Sequence, residues 1–214
     1  MKRLETLMAD VTTRRQKLED HGKLAFYSDD TILIRHVRCS YPHLDKPWTM
    51  GEGEPKYQME GLVPNEPEYQ PAIRALQARI EKLAKDNKSP PLPEARTCFK
   101  EGASFGKAEK VGYYVVKASE KTAPALRGRR RDPRTGDWEV IPAEDAPKVF
   151  YGGCWVNVLI KLWWQDNKHG KRVNANLCAV QFVRDDDAFG RGRISQEDID
   201  DTFDEPDDGD DDDL

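Results

Sequence analysis

Apolar and polar residues alternate most regularly between Tyr151 and Arg184. Val156, Val158, Ile160 and Leu162 share one side of a run whose other side carries Trp155, Asn157, Lys161 and Trp163. A return run repeats the pattern, with Val173, Ala175, Leu177 and Ala179 opposite Arg172, Asn174 and Asn176. Period-two alternation of this length marks strands with one buried face. Between the runs, Asp166-Asn-Lys-His-Gly170 has turn composition, and Gly170 can take the positive φ such a turn needs. The spacing therefore predicts a long β-hairpin. Its polar face carries Trp, Asn, Lys and Arg, side chains suited to stacking bases and holding phosphates. Each tryptophan taken singly is better accounted for by packing in a core or over a sheet.

Weaker patterns fill in the rest. Thr31–Arg38 reads as a strand stopped by Tyr41-Pro42, and residues 42–55 read as a loop containing His43, Lys46 and Trp48. Lys56–Val63 alternates as a second strand. Glu68–Lys85 is the one helix, with Pro71 in its first turn and Ile73, Leu76, Ile80 and Leu83 as its apolar stripe. Val111–Ala118 reads as a third strand that places Tyr113 and Tyr114 on opposite faces, and Trp138–Ile141 as a short one. Residues 1–28, with Leu4, Leu7, Met8, Val11 and Leu18 at roughly helical spacing, read as an extension, either a short helix or a loose segment. The expected class is mainly β with one packed α-helix (α+β), the strands forming a small five-stranded barrel.

Charge changes this picture. The chain of 214 residues has a net charge of −5, but the signs are segregated. Residues 185–214 hold thirteen Asp and two Glu against Arg191 and Arg193, a net of −13, which leaves +8 on residues 1–184. A like-charge block of this kind cannot bury enough apolar surface to fold and acts as an interaction tail. The basic body has reason to meet a polyanion. Its most basic stretch holds Lys121, Arg127, Arg129, Arg130, Arg131 and Arg134, with Gly128 and Pro133 expected to keep it a flexible phosphate clamp. In residues 98–110, Gly102 and Gly106 bracket Phe105, and Lys100, Lys107 and Lys110 flank it, the composition of a loop that stacks a base.

Candidate catalysts are missing from the pattern. No GxSxG, HExxH or P-loop occurs, the four histidines are scattered, and the aspartate clusters lie on the tail rather than on rigid elements. No catalytic residue, metal site or cofactor is expected. The four cysteines (Cys39, Cys98, Cys154, Cys178) form no CxxC pair and read as buried free thiols. No run approaches the roughly 18 apolar residues of a membrane span, and Met1-Lys-Arg-Leu-Glu-Thr-Leu7 lacks a secretory h-region, so no membrane partner is expected.

Particular residues carry a resemblance. Gly153-Cys-Trp-Val-Asn157, Trp164-Gln-Asp-Asn167, Gly170-Lys-Arg-Val-Asn-Ala175 and Ala179-Val-Gln-Phe-Val-Arg-Asp185, followed by Ala188-Phe-Gly190, resemble the single-stranded DNA-binding protein family of tailed bacteriophages. Tyr41-Pro42, Glu54-Pro-Lys-Tyr57 and Gly112-Tyr-Tyr114 fit the same pattern more loosely. The resemblance spans about residues 30–190 and implies an OB-type barrel, a role in phage DNA replication or recombination, and no catalysis. It divides the chain into an extension (1–28), an OB-fold domain (29–190) and a disordered acidic tail (191–214). An OB-fold carries its helix after the third strand, whereas the helix here follows the second strand read, so a short strand is hidden or the barrel is modified.

The residues expected to stack bases are Trp48, Phe105, Tyr113, Tyr114, Trp155 and Trp163. Those expected to hold phosphates are Lys100, Lys107, Arg127, Arg129, Arg130, Arg131, Arg134, Lys161 and Arg172. The tail, with Phe203, Asp210, Asp211, Asp212, Asp213 and Leu214, is expected to compete with DNA for the body and to recruit replication proteins such as a polymerase or helicase. Many tails in the family end in an aromatic residue, whereas this one ends in Leu214. A homodimer is compatible with the sequence, and the resemblance implies the cytoplasm of an infected bacterial host. The rival expectation is an interaction protein whose tail mimics DNA on a host DNA-binding protein.

Overall fold

In the computed structural model, which describes residues 15–49 and 53–190, the strands run in chain order. They are β1 (Lys17–Asp20), β2 (Leu24–Tyr27), β3 (Thr31–Trp48), β4 (Lys56–Pro64), β5 (Phe99–Glu101), β6 (Tyr113–Glu120), β7 (Ala125–Arg131), β8 (Trp138–Val140), β9 (Trp155–Asn167) and β10 (Gly170–Arg184). Helix α1 (Gln70–Asp86) follows β4, and a single helical turn, α2 (Ala146–Val149), precedes β9. All strands join one sheet with the path β5-β6-β4-β3-β9-β10-β7-β8, and β2 links β1 to β3.

The predicted hairpin is the centre of this sheet. β9 and β10 pair antiparallel from Asn167–Gly170 to Trp155–Arg184, and Gly170 has φ +92°. Val156, Val158, Ile160, Val173, Ala175 and Leu177 are buried, as the alternation requires. A register shift between Leu177 and Ala179 then changes the phase, so Val180 rather than Ala179 takes the next core position. On α1, Ala72, Ile73, Leu76, Ile80 and Ala84 are buried, while Leu83 is only partly covered. Cys39, Cys98 and Cys154 are buried free thiols and Cys178 is half-buried. Burial pushes the Cys98 thiol up to about 12.

The sheet does not close, so the expected five-stranded barrel is corrected to an open, mixed sheet. β10 divides its free edge. Its C-terminal part pairs parallel with β7 at Ala179–Ala125 to Gln181–Arg127, whereas among the described residues its N-terminal part forms on that side a single bridge, Val173 to Thr97. β5, three residues long, supplies too little ladder to complete the circuit.

Three local expectations also change. The loop expected at residues 42–55 is in large part strand, because β3 continues to Trp48 with register shifts beside Pro42 and Pro47. Prolines are tolerated there because no residue of β3 beyond Arg38 is in register with β9, leaving β4 as its one ladder partner. The basic segment expected to be flexible forms β7 and pairs with β8. Finally, β1 and β2 lie within the segment read as an extension, and they are the hidden strands ahead of the helix.

Candidate nucleic-acid interface

The far half of the hairpin turns its polar face toward β3, β4 and β6 across an open groove of about 610 Å³. Antiparallel register sets the hairpin side: Trp163 lies opposite Asn174, and Gln165 opposite Arg172. Asn174 Nδ2 donates to Gln165 Oε1 at 2.9 Å and holds this surface in shape. The facing wall is set the same way, with Glu60 opposite Lys117 and Gln58 opposite Ser119 on β4 and β6. The outer end of β3 adds Tyr41, His43 and Trp48, the two latter rings stacked at 4.7 Å and 9°. The loop between β5 and β6 adds Phe105, Lys107 and Lys110.

Among the described residues, six cations line the groove (Lys56, Lys100, Lys107, Lys110, Lys117 and Arg172) against one carboxylate, Glu60. Burial, together with the charges of Lys117 and Arg172, draws the Lys100 ammonium below the ordinary lysine range. An anion between these charges would favour the ammonium form again. Exposed rings stand among the cations: Tyr41, Trp48 and Trp163 keep 46%, 39% and 39% of their surface. Concave shape, positive field and ring faces together suit the backbone and bases of a single strand.

Of the expected stacking residues, the groove gathers Trp48, Phe105 and Trp163; of the expected phosphate ligands, it gathers Lys100, Lys107 and Arg172. The others lie elsewhere. Trp155 sits near the opposite end of β9, where Nε1 donates to Asp186 and the guanidinium groups of Arg184 and Arg38 lie 4.7 and 5.5 Å from its ring. Tyr114 stacks on buried Phe99 at 5.3 Å, and Tyr113 starts β6 opposite Pro64. Lys161 Nζ donates to the Asp29 carbonyl at 3.0 Å. Arg127, Arg129, Arg130 and Arg131 are on β7 and Arg134 in the turn to β8, where Arg131 covers Trp138 at 4.1 Å and Asp132 pairs with Arg134 at 3.9 Å. Phe203, Asp210, Asp211, Asp212, Asp213 and Leu214 lie outside the described residues, as do Leu4, Leu7, Met8 and Val11.

Sequence reading missed Tyr41, Lys56 and Lys117 as groove residues. Tyr41 has φ +47° at the β3 irregularity, so no alternation rule could assign its face. Lys56 and Lys117 were assignable in principle, since they share the alternating faces of β4 and β6 with Gln58, Glu60 and Ser119.

The profile of the Enterobacter phage Enc34 ssDNA-binding protein family matches residues 30–214. The chain belongs to this family. The Enc34 family is one of binding proteins rather than enzymes. The structure of the bacteriophage Enc34 single-stranded DNA-binding protein in complex with ssDNA aligns with a TM-score of 0.74 and 32% identity, covering 83% of this chain and 99% of that one. A C-terminal truncation of the Enc34 protein aligns at 0.72 and 31%, again over 83% and 99%. The p50 protein of Acyrthosiphon pisum secondary endosymbiont phage 1 is 32% identical over 183 residues, 79% of this chain and 92% of p50. Among the described residues no helix is long and apolar enough to cross a membrane.

Proposed function

We propose that this chain binds single-stranded DNA without reading its sequence, in phage DNA replication or recombination in the host cytoplasm. The observation that carries this reading is the convergence of Tyr41, Trp48, Phe105 and Trp163 with six cations in one open groove of an Enc34-family chain. Bases stack on the rings, at about 1–3 kcal/mol each, and lysine and arginine side chains meet the phosphates. Ring faces and ammonium groups engage what every nucleotide shares, a π-face and a phosphate, so the binding is sequence-tolerant. The arginines of β7 and Arg134 in the turn after it extend the phosphate path only for strands long enough to leave the groove. The acidic tail competes with DNA for the groove, and once displaced it is free to engage a polymerase or helicase.

The test is fluorescence anisotropy of labelled oligo-dT over a salt series, with duplex DNA as competitor. Nanomolar-to-micromolar binding that weakens with salt, by a slope of about 0.7 per phosphate neutralised, supports the reading. Failure of both the full chain and a chain cut after Gly190 to bind at low salt removes it, and makes a DNA-mimicking tail the better account.

A further inference from the structure

We propose that Lys110 is a positioning residue for DNA binding: its ammonium, held by Glu60, fills the space between the Tyr41 and Phe105 rings and fixes them as a two-ring platform for bases. The inference rests on the groove being the DNA-binding site, and it gives Lys110 a role other than the phosphate contact its charge invites.

Lysine is almost never fully buried unless it is paired. Lys110 retains 2% of its surface at the floor of a groove that is open to solvent. Its Nζ donates to Glu60 Oε2, and Lys117 approaches Glu60 Oε1 at 2.8 Å. A groove that attracts phosphate gains nothing from a carboxylate; Glu60 is accounted for by the buried ammonium it neutralises. That same ammonium lies 4.3 Å from the Phe105 centroid and 5.2 Å from that of Tyr41, within reach of the negative face of both rings.

The backbone is built to put it there. Two turns, Gly102–Phe105 and Ala108–Lys110, fold the β5–β6 loop so tightly that a Cβ on Gly102 would stand 1.9 Å from the Lys110 carbonyl oxygen. Tyr41 comes from an irregular point on β3, and Phe105 from this loop. Neither ring is aligned by a regular ladder, so a shared cation is what gives them a common geometry. Lys107 contributes a second tie, with Nζ donating to the Tyr41 hydroxyl.

Two measurements test this. In the DNA-free protein, the Lys110 Hε and Nζ resonances should show ring-current shifts that shrink in Phe105→Leu and vanish in Tyr41→Leu/Phe105→Leu; unshifted resonances overturn the cage. For binding, the double variant Glu60→Gln/Lys110→Met keeps the net groove charge and avoids stranding a buried carboxylate, and its fold is checked by circular dichroism and thermal melting. Its affinity should fall about tenfold for oligo-dT, the loss of one stacked base. Binding to an abasic oligonucleotide of equal length should stay within about twofold, and the salt slope should not change. Equal losses on both ligands with a shallower slope would make Lys110 a phosphate contact and overturn the proposal. Unchanged affinity on both would reduce the ion pair to a packing feature and also overturn it. Absence of oligo-dT binding by the unsubstituted protein instead removes the functional reading, leaving the resonance result to speak for the cage alone.

Discussion

Trp155 and Trp163 share a strand and a face in the primary pattern, yet their surroundings assign them different work. Trp163 is exposed in the groove, so Trp163→Ala should weaken oligo-dT binding by about 1–3 kcal/mol while leaving the melting temperature nearly unchanged. Trp155 spends its indole N–H on Asp186, so Trp155→Phe should cost about 1.5–3 kcal/mol of stability with little change in affinity. Titration by anisotropy and unfolding in urea separate the two. The Trp155 bond, with the Asp187 backbone N–H and the charges of Arg38 and Arg184, holds the Asp186 carboxyl below the usual carboxylate range. A folded-state pKa below the unfolded value of about 3.9 means that protonation favours unfolding. The contribution is thus complete above the unfolded pKa and is lost as pH falls through the folded one. Stability measured from pH 6 down to pH 2 should drop less steeply in Asp186→Asn than in the parent, and parallel curves would dismiss the bond as a stabiliser.

At the scale of elements, the groove depends on close backbone approaches that sequence patterns do not encode. Gly102→Ala forces a Cβ against the Lys110 and Tyr113 carbonyls. Overpacking of this kind should lower stability by about 1–3 kcal/mol and loosen the loop carrying Phe105, detectable as faster amide exchange across residues 102–112. Legibility followed regularity. The β9–β10 hairpin and α1 were readable because one buried face repeats with a fixed period over many residues. β7 was not, because Arg127-Gly-Arg-Arg-Arg131 has no apolar alternation: Ala125–Arg127 joins the sheet by parallel pairing with β10, a contact distant in sequence, and the arginine-rich end pairs with β8. β3 was cut short at Pro42 because proline reads as a stop, yet it survives on a stretch that has β4 as its ladder partner. For the site, loops rich in glycine and lysine were visible, but which rings converge was decided by strand irregularities. That is why Trp48, Phe105 and Trp163 were separable from Trp155 only in three dimensions.

On the scale of the whole molecule, the question is where body ends and tail begins. Charge alone places the change after Arg184, but residues 185–189 belong to the body by contact. Tyr151 Oη donates to Asp185 at 3.0 Å, Arg38 Nη2 donates to the Asp187 carbonyl at 2.7 Å, and the Phe189 N–H donates to the Gly152 carbonyl at 2.8 Å. A chain cut after Arg184 would lose these anchors, and its binding would report a damaged sheet end as well as a missing tail. Cutting after Gly190 leaves them in place and removes ten Asp and two Glu with Arg191 and Arg193. If the tethered segment fills the groove nine-tenths of the time, this truncation should tighten oligo-dT binding about tenfold at low salt. Raising salt weakens the tail–groove attraction as well as the DNA contacts, so the affinity gap between the two chains should close across the series. A gap that persists at high salt would mean that the tail blocks the groove sterically rather than by charge. Equal affinities at every salt would show that the tail does not compete for the groove, and would make recruitment of other proteins its main role.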